Sequence, residues 1–135
     1  MSYWLLKSEP DKYGWDDLVR DGRTVWDGVR NHTAAINLRA MKLGDRAFFY
    51  HSNEGKEIVG VVEVVREHYP DPKDATGRFP AVDVAPVERL PQPVTLAAIK
   101  GDPAFADMAL VRLSRLSVGP VRDDEWSRIM AMAQV

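Results

Sequence analysis

The chain has 135 residues and no cysteine, with 45% hydrophobic and 28% charged residues. This composition indicates one globular domain over residues 1–135, and it excludes disulfides, cysteine-ligated zinc and a long disordered chain. A net charge of −2 disfavours extensive phosphate binding, although residues 20–46 carry six basic and three acidic side chains. The apolar run at residues 3–6 is too short for a signal peptide or a membrane span, so we expect a soluble, cytoplasmic protein.

The predicted elements are short strands separated by short helices. Apolar and β-branched runs predict strands, and apolar residues at helical spacing predict helices. In chain order, we expect strand 3–7, helix 15–19, strand 24–26, helix 32–41, strands 47–51, 58–65 and 81–87, helix 95–100, strand 116–121 and helix 123–132. This order lacks the regular βαβ alternation of a parallel sheet. The sequence therefore predicts an α+β fold, a small barrel of five to six mostly antiparallel strands decorated by short helices.

Glycine and proline set the expected boundaries of these elements. Gly44 is the predicted C-cap of the second helix, and residues 52–55 predict a hairpin between the two central strands. Residues 69–80 hold three prolines and a glycine, which predict a surface loop. Pro86 and Pro91 are expected to close an edge strand on which Asp83 faces solvent.

The sequence gives little support for catalysis or for a bound metal. It lacks the phosphate-binding, zinc-protease and nucleophile-elbow motifs, and its three histidines are spread singly. A hydrolytic triad is defined by geometry; the candidate residues for one are Ser8, His51 or His32, and Glu9 or Asp27. His51 ends an apolar strand, where a histidine more often bonds to a backbone group. We therefore expect no catalytic residue, no metal and no cofactor.

The most informative segment is residues 24–32, in which a tryptophan lies between a short strand and an Asp-Gly turn. Trp26 would expose a large apolar ring unless something covers it. The ring either packs into the core or stands unburied as one wall of a pocket for a flat ligand. Arg30, Asn31 and His32 follow at the start of a helix. An aromatic wall beside amide and charged groups suits an unstacked nucleobase, which stacks on the ring and forms hydrogen bonds through its edge.

Two further segments are expected to reach the same pocket. Lys7 and Ser8 leave the first strand, and Ser52 follows the central strand. If the barrel closes, both strand ends lie at its mouth. Taken singly, each segment is also ordinary surface-turn chemistry, so the prediction depends on their agreement.

Several motifs carry a family resemblance. The chain reads YWLLKSEP at residues 3–10, WDGVRN at 26–31 and FFYHSN at 48–53, and shorter matches such as IVG at 58–60 and EW at 125–126 follow in order. Together these motifs run nearly end to end and resemble the EVE domain family. The resemblance implies a single EVE domain with a PUA-like fold, related to the YTH domains that hold N6-methyladenosine of RNA in an aromatic cage.

The resemblance also implies a function and site residues. EVE domains are similarly linked to modified bases, such as modified cytosines in DNA. By position, Trp26 matches the cage tryptophan, with Ser8, Asn31 and Ser52 as polar lining. The full predicted pocket adds Asp27, Gly28 and Val29, and the predicted contacts to the nucleic-acid backbone are Lys7, Arg30, Arg39 and Lys42. The expected partner is modified DNA or RNA, bound by a monomer or weak dimer that contacts no membrane.

Two features depart from the family pattern. His32 and Thr33 stand where an aromatic residue followed by a polar one is common, and the loop at residues 71–80 is short and has no tyrosine. The resemblance therefore does not extend to a complete three-walled cage. Two other functions stay open from the sequence, namely binding of a small planar metabolite and protein contacts made by an accessory domain.

Overall fold

The computed structural model describes residues 1–134. Its strands are β1 (Tyr3–Ser8), β2 (Thr24–Trp26), β3 (Arg46–His51), β4 (Glu57–Pro70), β5 (Pro80–Thr95) and β6 (Val118–Val121). Its helices are α1 (Trp15–Asp21), α2 (His32–Ala40), α3 (Leu96–Lys100), α4 (Ala109–Arg112) and α5 (Asp123–Met132), with a 3₁₀ helix at Pro103–Phe105. Within residues 1–134, no helix has the length and apolar character needed to cross a membrane.

The strands form one sheet in the order β2–β5–β4–β3–β1–β6. Neighbouring strands are antiparallel except β1 and β3, which run parallel. The predicted α+β class with mostly antiparallel strands is confirmed. The edge strands β2 and β6 do not pair with each other in the described part of the chain, so the sheet is not closed into the predicted barrel.

A hydrophobic cluster covers each face of the sheet. Successive side chains of a strand point to opposite faces, so Trp4 and Leu6 of β1 join one cluster while Leu5 joins the other. The first cluster includes residues of α1 and α2, and the second includes residues of α3, α4 and α5. The C-terminal end of β1, with Lys7 and Ser8, therefore emerges between two packed layers.

The segment around the fourth and fifth strands differs from the prediction. The predicted loop at residues 69–80 shrinks to residues 71–79, because β4 continues to Pro70 and β5 begins at Pro80. The part of β5 around Asp83 is not an edge, since β2 pairs with it. Asp83 is buried instead of facing solvent, and it accepts hydrogen bonds from Tyr69 and Arg23. A carboxylate tolerates burial when such donors replace the lost water.

The prolines of β5 do not end the strand as predicted. Residues 90–93, which include Pro91, lie between the pairings of Arg89 with Gly60 and of Val94 with Ile58, so four residues of β5 face one residue of β4. In such a bulge, a residue without an N–H group removes no ladder hydrogen bond. Pro86 lies beyond residues 82–84, the part of β5 that pairs with β2, so β2 does not pair with β5 at Pro86.

The helices follow the prediction with shifted ends. α2 stops at Ala40 with Met41 as its C-cap, so Gly44 belongs to the next turn and is not the predicted cap. α1 runs to Asp21 and stops at Gly22, whose φ of +76° is a left-handed conformation that glycine adopts without strain. The 3₁₀ helix and α4 lie in a segment for which the sequence predicts no element.

Candidate functional site

A cavity of 580 Å³ lies at the C-terminal end of β1. Its lining comes from residues 7–9, residues 24–30, Lys12, Tyr13, Lys73 and Ser117. The edge strand β2 forms one wall, and Ser117 directly precedes the other edge strand, β6. The cavity therefore sits between the two unpaired edges of the sheet. Its volume is within the roughly 300–1,000 Å³ typical of ligand pockets, and we call it the Trp26 cavity.

Trp26 forms an inner wall of this cavity. Its side chain is only 9% exposed, and its ring meets Phe49 edge to face, with the ring centroids 5.7 Å apart. Of the two predicted placements, the ring packs into the core and does not stand unburied, and it lines the cavity as well. β2 explains the orientation, since its alternation sends Trp26 inward and leaves Val25 exposed. A ring packed in this way presents a fixed surface to a ligand.

The turn after Trp26 is held from a distance by Asp71. Gly28 has φ +76°, and its backbone N–H donates to the Asp71 carboxylate at 2.8 Å. The same carboxylate accepts from the Arg30 guanidinium at 2.8 Å and from the Lys73 backbone N–H at 2.7 Å. The Asp71 side chain is fully buried. Sequence reasoning missed this residue, because Asp71 lies in the segment that the sequence predicts as a surface loop.

The pKa of the Asp71 carboxyl group reflects this environment. Burial raises its pKa, but the hydrogen bonds from Arg30, Lys73 and Gly28 together outweigh burial and hold the pKa below the ordinary value. The group is therefore a carboxylate at neutral pH, and its charge fixes Arg30 against the cavity wall.

Arg30 also covers an aromatic side chain of the loop at residues 71–79. Its guanidinium lies 5.3 Å from the centre of the Phe79 ring, and His32 stacks on the same ring at 5.5 Å. Phe79 is absent from the lining of the Trp26 cavity. The loop thus supplies an aromatic residue that supports Arg30 and does not add a second wall to the cavity.

The charged residues at the cavity mouth are paired. Lys12 lies 3.0 Å from Glu9, and Lys73 lies 3.4 Å from Asp27. The lysine side chains are 76% and 69% exposed, so water screens both pairs strongly. At the inner end, the Ser8 hydroxyl donates to the Tyr13 carbonyl, which leaves its oxygen free to accept a hydrogen bond from a ligand.

Four residues of the predicted site lie outside this cavity. Asn31 is the N-cap of α2, and its side-chain oxygen accepts the Ala34 N–H at 3.0 Å. Ser52 lines a separate depression on the other side of β1. Arg39 and Lys42 do not line the cavity either, and the Arg39 guanidinium donates to the carbonyl of Arg78. The structure thus brings together Lys7, Ser8, Trp26, Asp27, Gly28, Val29 and Arg30.

The geometry at His51 does not form a hydrolytic triad. Its Nε2 accepts the backbone N–H of Trp15 at 3.2 Å, which fixes the start of α1 against β3. Burial lowers the pKa of His51, in keeping with a neutral ring that accepts this bond. The Ser8 hydroxyl donates elsewhere, to Tyr13.

Comparisons with known proteins identify a family and several relatives for this chain. The EVE domain family model matches residues 2–132. Human thymocyte nuclear protein 1 is 33% identical, over 98% of this chain and 74% of its own length. An NMR structure of a protein from Rhodopseudomonas palustris is 54% identical, with a TM-score of 0.94 over 99% of this chain and 94% of its own.

A further solved relative carries a bound nucleic acid. The crystal structure of human THYN1 in complex with DNA containing 5-methylcytosine is 33% identical to this chain, with a TM-score of 0.89 over 100% of this chain and 99% of its own. The family model spans nearly all residues, and these relatives cover the chain almost completely. The chain belongs to the EVE domain family.

Proposed function

We propose that this protein binds DNA that contains a modified cytosine and holds the modified base in the Trp26 cavity. The observation that carries the proposal is this one cavity, walled by a fixed indole and large enough for a nucleotide, in a family member whose human relative was solved with 5-methylcytosine-containing DNA. A base reaches such a cavity only after it leaves the stack of the duplex, which costs a few kcal/mol. Stacking and edge contacts in the cavity have to offset that cost.

The lining suits the chemistry of a methylated cytosine. Cytosine presents its N4 amino group as a hydrogen-bond donor, and a carboxylate is the side chain that accepts from it. Asp27 lines the cavity and is partly exposed, so it is the acceptor that we assign to N4. Val29 provides an apolar surface for the 5-methyl group, as apolar side chains do for the thymine methyl group. Ser8 is left to bond the remaining edge of the base.

Lys12 and Lys73 are the cations we assign to the phosphates beside the flipped base. Both are exposed, and each is held only by a screened surface pair, so exchange of a carboxylate for a phosphate costs little. Arg30 stays with the buried Asp71 carboxylate and acts on the shape of the cavity. With so few cations, binding should depend weakly on salt, in keeping with about two to four phosphate contacts.

The proposed role is recognition without catalysis. The hydrogen bond from Trp15 engages Nε2 of His51, and the Ser8 hydroxyl donates to a backbone carbonyl. Neither group is therefore poised to attack a substrate. We also predict a cytoplasmic location, a single domain over residues 1–135 and a monomeric or weakly dimeric state.

The test is a fluorescence-anisotropy titration with two duplexes that differ only in one 5-methyl group on cytosine. We expect tighter binding of the methylated duplex. Removing a stacked indole costs about 1–3 kcal/mol, and a phenyl ring keeps part of that contact. Trp26→Phe should therefore raise the Kd for the methylated duplex about 3- to 10-fold.

Trp15→Phe is the matched control. Trp15 also meets Phe49 edge to face, at 5.6 Å, and is buried, but it does not line the cavity. It should lower stability without raising the Kd. Equal affinity for both duplexes would overturn the proposal. Saturable binding of free 5-methyl-2′-deoxycytidine with no binding of either duplex would instead identify a metabolite binder.

A further inference from the structure

A second depression, of 280 Å³, lies on the other side of β1 from the Trp26 cavity. Ser8 and Lys7 are consecutive on β1, and Lys7 lines both cavities. The charged side chains of its lining are Lys7, Lys56 and Lys100, with Ser52 and Asn53 beside them. We call this set the lysine depression.

The charge of the lysine depression is one-sided. No aspartate or glutamate lines it, and none of its three lysines forms a salt bridge within residues 1–134. The Glu9 carboxylate, which Asn53 also approaches, is already paired with Lys12. The Trp26 cavity differs, because Lys12, Arg30 and Lys73 of its lining are each paired with a carboxylate. Uncompensated positive charge in a concave surface attracts an anion.

Lys7 is the anchored member of the set. Its ammonium donates to the Ser114 carbonyl at 2.9 Å and lies 5.9 Å from the centre of the Tyr50 ring. The side chain is half-buried, and burial lowers its pKa. A bound anion would replace part of the lost hydration of this ammonium group.

Lys56 is held at the rim by the backbone. It has φ +48°, a left-handed conformation that glycine or asparagine adopts with less strain. Its carbonyl accepts the Leu96 N–H at 2.8 Å, which ties the β3–β4 turn to the start of α3. Lys100 lies at the end of the same helix. The backbone positions of these two exposed lysines are therefore fixed relative to each other.

We propose that the lysine depression binds a phosphate group of the DNA strand whose modified base occupies the Trp26 cavity. The inference rests on the proposed function, and the link between the two sites is the end of β1. The Ser52 backbone N–H donates to the Ser8 carbonyl at 2.9 Å, so the walls of both sites are joined directly. A strand that crosses Lys7 and Ser8 places one nucleotide in the Trp26 cavity and a neighbouring phosphate between the lysines.

The test uses the double variant Lys56→Asn with Lys100→Gln. Asparagine suits the left-handed conformation at residue 56, and both lysines are exposed, so the fold should be retained, as thermal melting checks. We expect the Kd to rise about 3- to 30-fold for methylated and unmodified duplexes alike. The slope of log Kd against log salt concentration should become shallower by about 1 for each lysine that no longer binds a phosphate.

Arg46→Gln is the control for the loss of charge. It removes one positive charge where the double variant removes two, and it lies at the start of β3, at the opposite end of the strand from Ser52. A double variant with the wild-type Kd and salt slope, or a loss no larger than that of Arg46→Gln, would overturn the inference. If the wild-type protein does not prefer the methylated duplex, the proposed function is wrong. The effect of the two lysines on the Kd can then still be measured with the unmodified duplex.

A titration with inorganic phosphate, followed by NMR of the backbone amides of residues 52–56 and 96–100, separates the two sources of phosphate. Weak shifts at these amides with phosphate, and larger shifts with DNA, support the inference. Saturation by free phosphate together with unshifted amides in the presence of DNA would contradict it, and would indicate a site for a small phosphorylated ligand.

Discussion

Replacing Asp71 with alanine should destabilise the protein and loosen one wall of the Trp26 cavity at the same time. The fully buried carboxylate accepts three hydrogen bonds, from the N–H groups of Gly28 and Lys73 and from Arg30. Removing one partner of a buried ion pair typically costs about 3–5 kcal/mol. Because the Arg30 side chain is 41% exposed, water recovers part of its hydration, and we expect a loss of about 2–4 kcal/mol.

A loss of this size is readily measured. At roughly 4 °C per kcal/mol, the Tm should fall by about 8–16 °C. The effect should also depend on pH. The pKa of Asp71 is lower in the folded state, so its contribution is complete above the unfolded value of about 3.9 and is lost as the pH falls through the folded pKa. Wild type and Asp71→Ala should therefore converge in stability in strongly acidic solution.

Urea unfolding at neutral pH measures the stability, and anisotropy with the methylated duplex measures binding below the unfolding transition. Asp45→Ala is the matched control, because Asp45 is also buried and accepts hydrogen bonds from three N–H donors, those of Ser2, Trp4 and Lys42. It should lose similar stability and keep its DNA affinity. A stability loss under about 1 kcal/mol for Asp71→Ala, or equal DNA affinities for the two variants, would refute the role given to Asp71.

Two further predictions concern the turn and the histidine. Gly28→Ala and Gly44→Ala both place a Cβ in open space at a left-handed φ, of +76° and +88°, so each should cost about 1–2 kcal/mol of stability. Only Gly28→Ala should weaken binding of the methylated duplex. Equal Kd values for the two variants would contradict this prediction. Burial lowers the pKa of His51 in the folded state, so wild-type stability should fall as the pH drops below the ordinary value of 6.5, because the unfolded chain then binds the proton more readily. His51→Gln, which lacks this titration, should lose less stability between about pH 7.5 and 5.5, and urea unfolding at both pH values checks it.

Local sequence signals predicted the part of the site that is built locally. Trp26 and the following Asp-Gly turn are consecutive, so one strand and one turn place them together, and the end of β1 adds Lys7 and Ser8. Asn31 could have been excluded, because an asparagine before a helix commonly caps it, and its oxygen does so here. Ser52 could not have been excluded, because the side of β1 on which it lies depends on the geometry of the turn between β3 and β4.

Local sequence signals could not predict the contacts between segments that are distant in the sequence. The Asp71 carboxylate accepts the Gly28 N–H although the two residues are 43 positions apart in the sequence, and the Lys73 ammonium bonds to Asp27, 46 positions away. Nothing in the spacing of these residues specifies such pairs. The prolines of β5 misled the prediction for the same reason, because their effect depends on which edge of the strand is paired. The sequence can tell that residues 86–93 are rich in proline, but only the partner strand decides that Pro91 falls in a bulge.

The most direct measurement of the central claim is a crystal structure of this protein with a duplex that carries one 5-methylcytosine. We expect that base outside the helix and inside the Trp26 cavity, with its ring within about 4 Å of the Trp26 indole and its N4 amino group within about 3.2 Å of the Asp27 carboxylate. A complex in which the methylated base stays paired in the duplex, with the cavity holding no part of the DNA, would contradict the account.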